Sequence, residues 1–132
     1  MRWVFILFIL PLLTFSQIWP KEYYTFKRCT PRGLTESYDH GYLINVSLRS
    51  DPGGYNPFWV WLIKTDVNGE VLWEKKIGDG KRAIVFWNIY QCQDGGFILP
   101  GAIASDDEEA DVVFMKLNAC GEKEWCRIFL DS

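Results

Sequence analysis

His40 is the one histidine of this 132-residue sequence, and histidine is the side chain that most often serves as a general acid or base. It stands beside Gly41 in a sequence typical of a turn. General acid–base catalysis uses paired groups with displaced pKa values inside a pocket. We interpret His40 as an exposed turn residue, and we predict a protein that is not an enzyme and uses no cofactor.

An acidic run at 106–111, Asp-Asp-Glu-Glu-Ala-Asp, offers oxygen atoms that could bind Ca²⁺. The run has no interior glycine to form the sharp turn of a dedicated calcium loop. We therefore prefer a solvated loop to a metal site.

Three aromatic residues lie in or just after a loop at 51–56 that contains Gly and Asn, and they are the best candidates for a ligand surface. Tyr55 lies in the loop, and Phe58 and Trp59 come just after it. Exposed aromatic side chains of this kind make contacts with proteins and sugars.

Four cysteines, at positions 29, 92, 120 and 126, suit an oxidising compartment. They allow three disulfide pairings, and the sequence does not choose among them. No Cys-x-x-Cys pair favours zinc. Cys120 and Cys126 lie in one predicted hairpin and are possible partners. An extended chain would separate them by roughly 20 Å, whereas bridged Cα atoms lie within about 7 Å, so this bond needs the chain between them to coil.

The first sixteen residues, 1–16, predict a cleavable secretory signal peptide. Arg2 supplies a positive start, an apolar run follows, and the small residues Thr14 and Ser16 precede the expected cleavage point. A membrane anchor is the alternative, but the run contains Pro11 and is shorter than the roughly 20 residues of a spanning helix. We expect a secreted or cell-surface protein with no membrane span after cleavage.

The composition favours β structure. Aromatic residues make up 17% of the chain, and large flat side chains pack well on strands. No sustained helical period follows the signal peptide. The run 58–63 is apolar at every position, which indicates a strand buried on both faces. The net charge of −3 and the absence of a Lys/Arg cluster argue against a nucleic-acid partner.

An internal repeat divides the mature sequence into two units, 17–78 and 79–132. Residues 39–44, Asp-His-Gly-Tyr-Leu-Ile, match residues 94–99, Asp-Gly-Gly-Phe-Ile-Leu, at an offset of 55. After a length change in the next loop the offset becomes 52. At that offset five residues recur: Val60, Lys64, Gly69, Glu70 and Trp73 as Val112, Lys116, Gly121, Glu122 and Trp125.

Each unit is predicted to hold four short antiparallel strands. The first unit gives strands at 41–48, 58–65 and 70–77, and the second gives strands at 83–92, 97–104, 111–117 and 122–130. An Asn-Gly turn ends at Gly69, and Gly121 holds the same position in the second unit. Trp73 and Trp125 follow these glycines by four residues, and we predict that both pack between neighbouring units.

The pattern Asp-Gly-Gly-Phe-Ile-Leu, then Met-Lys-Leu-Asn at 115–118, then Gly121 and Trp125, resembles the propeller-type repeats of large secreted and cell-surface proteins of Bacteroidetes bacteria. The resemblance implies an all-β array of about two four-stranded, propeller-blade-like repeats, with no catalytic residues to carry over. His40 departs from the pattern, which has Gly there. Pro100 departs too, and we expect its strand at a sheet edge or a bulge.

Two blades cannot close a ring, which needs at least four. We therefore expect further blades from a longer chain, or self-association. The expected function is a non-enzymatic surface binding or scaffold module for an unidentified protein or glycan. The alternatives are a carbohydrate- or calcium-binding module, and a piece of a larger propeller enzyme whose active site lies in missing blades.

Overall fold

The computed structural model describes residues 20–23, 28–49, 59–104 and 109–130. Within these ranges the chain is all β, with two antiparallel sheets and no helix, which confirms the predicted class. No helix long and apolar enough to cross a membrane occurs in this part of the chain. The predicted signal peptide, 1–16, lies outside the described residues.

The first sheet has strand order β1-β2-β3-β4, and the second has order β5-β7-β8-β9, with β6 also paired to β7. The first sheet lies within the predicted unit 17–78 and the second within 79–132. The strands are β1 (Arg28–Glu36), β2 (Tyr42–Arg49), β3 (Trp59–Thr65), β4 (Val71–Ile77), β5 (Ala83–Phe86), β6 (Tyr90–Gln91), β7 (Phe97–Ala104), β8 (Asp111–Leu117) and β9 (Lys123–Phe129).

The predicted strand 83–92 is wrong as a single strand, because it is broken into β5 and β6 opposite Pro100. Phe86 pairs with Gly101 and Tyr90 pairs with Ile98. The three residues 87–89 therefore stand opposite only two residues of β7, 99 and 100. Strand β7 is paired on both sides, so Pro100 is not at an edge, and the irregularity falls in the strand beside it.

The predicted hairpin turn between β3 and β4 is present. The Asp66 Oδ1 atom accepts hydrogen bonds from the backbone N–H groups of Asn68, at 2.8 Å, and Glu70, at 2.9 Å. Gly69 has φ 80°, a left-handed conformation that glycine adopts without a Cβ clash. The second unit repeats this turn with Asn118 in the place of Asp66.

Directly opposed residues on neighbouring strands share one face of a sheet, and the pairing register therefore defines equivalent faces of the two sheets. We call one of them the front face. In the first sheet its rows are Leu43–Lys64–Trp73, Asn45–Leu62–Lys75 and Ser47–Val60–Ile77. In the second sheet the matching rows are Ile98–Lys116–Trp125, Pro100–Phe114–Arg127 and Ala102–Val112–Phe129.

The two sheets stack front to back. The front face of the first sheet contributes Leu43, Val60 and Leu62 to one buried cluster, with Trp73 and Ile77 packed against it. The opposite face of the second sheet, its back face, completes the cluster with Phe97, Leu99, Ile103, Val113, Met115 and Leu117. Burial of each large apolar side chain stabilises the stack by roughly 1.5–3 kcal/mol.

A buried hydrogen bond also joins the sheets. Asn45 is fully buried on the front face of the first sheet, and its side-chain amide donates to the backbone carbonyl of Phe86 at 2.7 Å. A buried amide of this kind fixes the position of one sheet on the other more specifically than apolar contacts do.

The back face of the first sheet forms a second buried cluster. Val46, Leu48, Trp61 and Ile63 belong to it, and Tyr23, Ile44 and Trp59 pack against it. Strand β3 is therefore buried on both faces, as its continuous apolar run predicted.

Candidate interaction face

A nearly buried lysine holds the turn at the start of each repeat. Lys64 is 4% exposed, and its ammonium group lies 2.7 and 2.9 Å from the two carboxylate oxygens of Asp39. The same group donates to the Thr65 carbonyl at 2.9 Å. Hydrogen bonds from Lys64 and Ser37 lower the pKa of Asp39 to about 2. A Cβ on Gly41 would overlap the Thr65 carbonyl, so only glycine fits beside this pair.

The second unit repeats this arrangement. Lys116 binds the carboxylates of Asp94, at 2.8 Å, and Glu124, at 2.9 Å. The hydrogen bond from Lys116 is the main reason that the pKa of Asp94 is lowered. A Cβ on Gly96 would overlap the Leu117 carbonyl. The recurring Asp, Gly and Lys are thus one structural clamp. Their joint recurrence in both units was the signal for this clamp, and the sequence alone does not show that the three residues meet.

His40 lies in the turn between β1 and β2 and is exposed, as predicted. Its φ of 61° is left-handed, and Gly95 holds the equivalent position with φ 82°. Its Nδ1 atom lies 3.4 Å from a carboxylate oxygen of Glu36, which is also exposed.

Of the predicted ligand surface, Tyr55 and Phe58 lie outside the described residues. Trp59 opens strand β3, and its ring is half-buried. A Cβ on Gly78 would lie 2.7 Å from the Cε3 atom of this ring, and one on Gly80 would lie 3.3 Å from Cζ2. The Trp59 ring therefore packs over the glycines of the loop between the sheets, and the predicted ligand surface stays a prediction.

Half of the acidic run, residues 106–108, also lies outside the described residues. Among the residues that are described, no group of three or more His, Cys, Asp or Glu side chains could hold a metal ion.

The predicted Cys120–Cys126 disulfide is not present, and all four cysteines are free. Cys120 is exposed in the turn before β9, whereas Cys126 packs against the buried cluster between the sheets. The chain between them does not coil, because strand β9 is already extended from Lys123.

The Trp73 ring packs against Gly121, the turn glycine of the second sheet. A Cβ on Gly121 would lie 2.6 Å from the Cη2 atom of the Trp73 ring. The ring packs against the buried cluster, and the Lys75 ammonium group lies 6.0 Å from its centroid. We call the surface beside such a turn glycine, on the back face of a sheet, the turn slot.

Trp125 is the equivalent residue of the second sheet, yet it is 39% exposed. The same difference in exposure between the two sheets extends along the front face. Val60 is fully buried in the first sheet, whereas Val112 in the second is 45% exposed, and Phe129 is 59% exposed. Phe129 packs edge to face on Phe114, with ring centroids 5.8 Å apart. Adjacent exposed apolar side chains are a feature of many interaction surfaces, and this face is therefore the candidate.

A cavity of about 560 Å³ lies between the outer strands β4 and β9. Its apolar residues include Ile77, Met115 and Cys126. Asp79 lies at this cavity, and backbone N–H groups of Arg82 and Lys81 lower its pKa. That carboxylate holds the loop between the sheets.

Fold and site define a two-sheet, all-β protein whose second sheet presents an apolar front face. The sequence matches no protein-family model and no curated protein. The function is therefore inferred from the geometry of the two sheets.

Proposed function

We propose that this chain is a non-catalytic, exported repeat module of the propeller type, and that it binds by docking a further sheet. The docking surface is the front face of the second sheet. One observation carries the proposal: the positions that the first sheet buries against its neighbour are exposed in the second sheet, with Val60 at 0% and Val112 at 45%.

The stack supplies the geometry of the docked complex. Its interface is heterologous, because the front of one sheet meets the back of the next, and a heterologous interface can be repeated. The partner that fits is a four-stranded sheet of the same repeat. It presents an apolar back face like that of Phe97, Leu99 and Met115, and a turn glycine opposite Trp125.

The charged groups support a structural module rather than an enzyme. Among the described residues, the carboxylates with lowered pKa values are those of Asp39, Asp79 and Asp94. Each accepts hydrogen bonds from backbone N–H groups of its own turn or loop. Hydrogen bonds that hold a turn in this way stabilise the ionised form of the carboxylate. The lowered pKa values therefore need no substrate to explain them.

A lengthened chain tests the proposal. In it, residues 78–132 follow Phe129 a second time, which repeats the natural connection between the two sheets. We expect the third sheet to cover Val112, Trp125 and Phe129, and to raise the melting temperature by at least about 5 °C in a single cooperative transition. Circular dichroism during heating measures this.

Trp125→Ala supplies the matched variant, because it removes the ring at the new interface. It should cancel most of the gain in the lengthened chain while shifting the natural chain little. Val71→Ala, at an exposed position of the first sheet, should leave the gain intact. A lengthened chain that melts at the natural temperature, or in two separate transitions, would show that the second sheet does not dock a third.

A further inference from the structure

The first sheet has its own turn slot at Gly69, which is equivalent to the slot at Gly121. In the second sheet the Trp73 ring fills the slot. In the first sheet Tyr23 lies there instead: a Cβ on Gly69 would lie 3.3 Å from the Tyr23 hydroxyl oxygen. An aromatic residue from the N-terminal side of β1 thus stands where the stack would place the tryptophan of a preceding sheet.

Two polar contacts hold Tyr23 and its neighbours in this position. The Tyr23 hydroxyl donates to the Gly69 carbonyl at 2.8 Å, and Lys21 forms an ion pair with Glu70. The Glu70 side chain is 65% exposed, and a surface ion pair of this type contributes little to stability. The polar contacts of residues 20–23 at the slot are therefore weak. The Tyr23 ring also packs against the buried cluster of the back face, and a competing ring must displace that packing.

The slot is also incompletely filled. A cavity of about 380 Å³ lies beside Tyr23, lined by Tyr42, Ile44 and Thr65 among others. The equivalent residues of the second sheet, Phe97, Leu99 and Leu117, belong to the buried cluster against which Trp73 packs. The first sheet therefore keeps apolar space at the position where a larger indole ring fits.

We infer that the Gly69 slot receives Trp125 of a second copy of this chain, and that Tyr23 competes for the slot in the free molecule. This inference rests on the proposed docking role of the front face. The rest of the back face, with Val46, Leu48 and Trp61, is buried in the chain itself, so the second copy engages the Gly69 end. Because the contact is heterologous, it joins copies head to tail into open chains or rings.

Sedimentation velocity of the full chain over a range of concentrations tests the inference. Tyr23→Ala vacates the slot, so its weight-average mass should rise with concentration to roughly twice the monomer mass or more. The double variant Tyr23→Ala/Trp125→Ala should remain monomeric. Tyr38→Ala, which alters a tyrosine 64% exposed in another turn, should sediment as the natural chain does.

Two further variants keep the test decisive if Tyr23→Ala fails to fold. Tyr23→Phe keeps the ring but loses the hydrogen bond to Gly69, and Lys21→Ser loses the pair with Glu70. Both should associate more than the natural chain and less than Tyr23→Ala. The inference would be overturned if Tyr23→Phe and Lys21→Ser both stay monomeric like the natural chain. It would also be overturned if a Tyr23 variant associates equally with Trp125 present and with Trp125→Ala added.

The failure of this inference is distinguishable from that of the proposed function. If Trp125 stabilises the lengthened three-sheet chain while the Tyr23 variants stay monomeric, the front face docks a sheet but the Gly69 slot does not receive a second copy.

Discussion

Trp73→Ala should destabilise the chain by about 3 kcal/mol, whereas Trp125→Ala should cost about 1 kcal/mol or less. The two residues occupy the same position in two equivalent hairpins. Only Trp73 has a neighbouring sheet to pack on, and its ring lies against Gly121 and the buried cluster. Loss of this ring leaves a cavity between the sheets, whereas loss of Trp125 removes a partly exposed side chain.

Urea unfolding of the two variants and the natural chain measures the difference as a shift of the transition midpoint at constant slope. Trp73→Phe should fall between the natural chain and Trp73→Ala, because it retains part of the ring contact. Equal costs at positions 73 and 125 would mean that the two sheets are not stacked through Trp73.

Asp39→Asn should cost about 2 kcal/mol at neutral pH and should make the chain less sensitive to acid. The Lys64 ammonium group is almost fully buried, and without the carboxylate it keeps only neutral acceptors such as the Thr65 carbonyl. An unpaired buried charge is strongly destabilising. The Asp39 side chain is 55% exposed, so solvent reduces the cost below that of a fully buried pair.

The pH window follows from the pKa of Asp39, about 2 in the folded chain against an ordinary value of 3.8. The folded chain binds fewer protons than the unfolded chain between these values. The stability that the pair contributes is therefore present above about pH 4 and is lost as the pH falls toward about 2. Urea unfolding at several pH values between 7 and 2 should show a shallower acid loss for Asp39→Asn than for the natural chain.

Lys64→Met is the matched variant for Asp39→Asn, because it removes the buried positive charge instead of the carboxylate that pairs with it. An apolar side chain of similar length should cost less than Asp39→Asn and should flatten the same part of the pH profile. An acid profile of Asp39→Asn as steep as that of the natural chain would contradict the role of this pair.

Much of the fold followed from local signals in the sequence. The Asn-Gly turn at Gly69 and the apolar run before it predict β3 and β4. Because the sequence repeats, the same signals predict β8 and β9 in the second sheet. Strand β1 had no such signal. Pro31 and Gly33 interrupt its pattern, and the structure has an irregularity in the pairing between them.

The stacking direction could not be predicted, because the central strands are apolar on both faces and alternation gives no orientation. The unlike surroundings of Trp73 and Trp125 were missed for a related reason. Their local sequences match, and their exposure depends on which sheet lies beside each of them. The Lys64–Asp39 pair joins a residue of β3 to a residue of the turn between β1 and β2, and it depends on tertiary structure in the same way.

The ligand surface at Tyr55, Phe58 and Trp59 stays a prediction, as do export and the relation to propeller repeats. The front face of the second sheet was not among the predicted sites. In the sequence, its residues look like ordinary strand positions. Their exposure is informative only by comparison with the first sheet, where the equivalent positions are buried.

The most direct test of the front-to-back stack is a nuclear Overhauser spectrum of the natural chain. We predict cross-peaks between the α protons of Gly121 and the six-membered-ring protons of Trp73, and none between Gly121 and Trp125. Contacts of Gly121 with the Trp125 ring, or the absence of any contact with Trp73, would contradict the stacking of the two sheets on which the proposed docking depends.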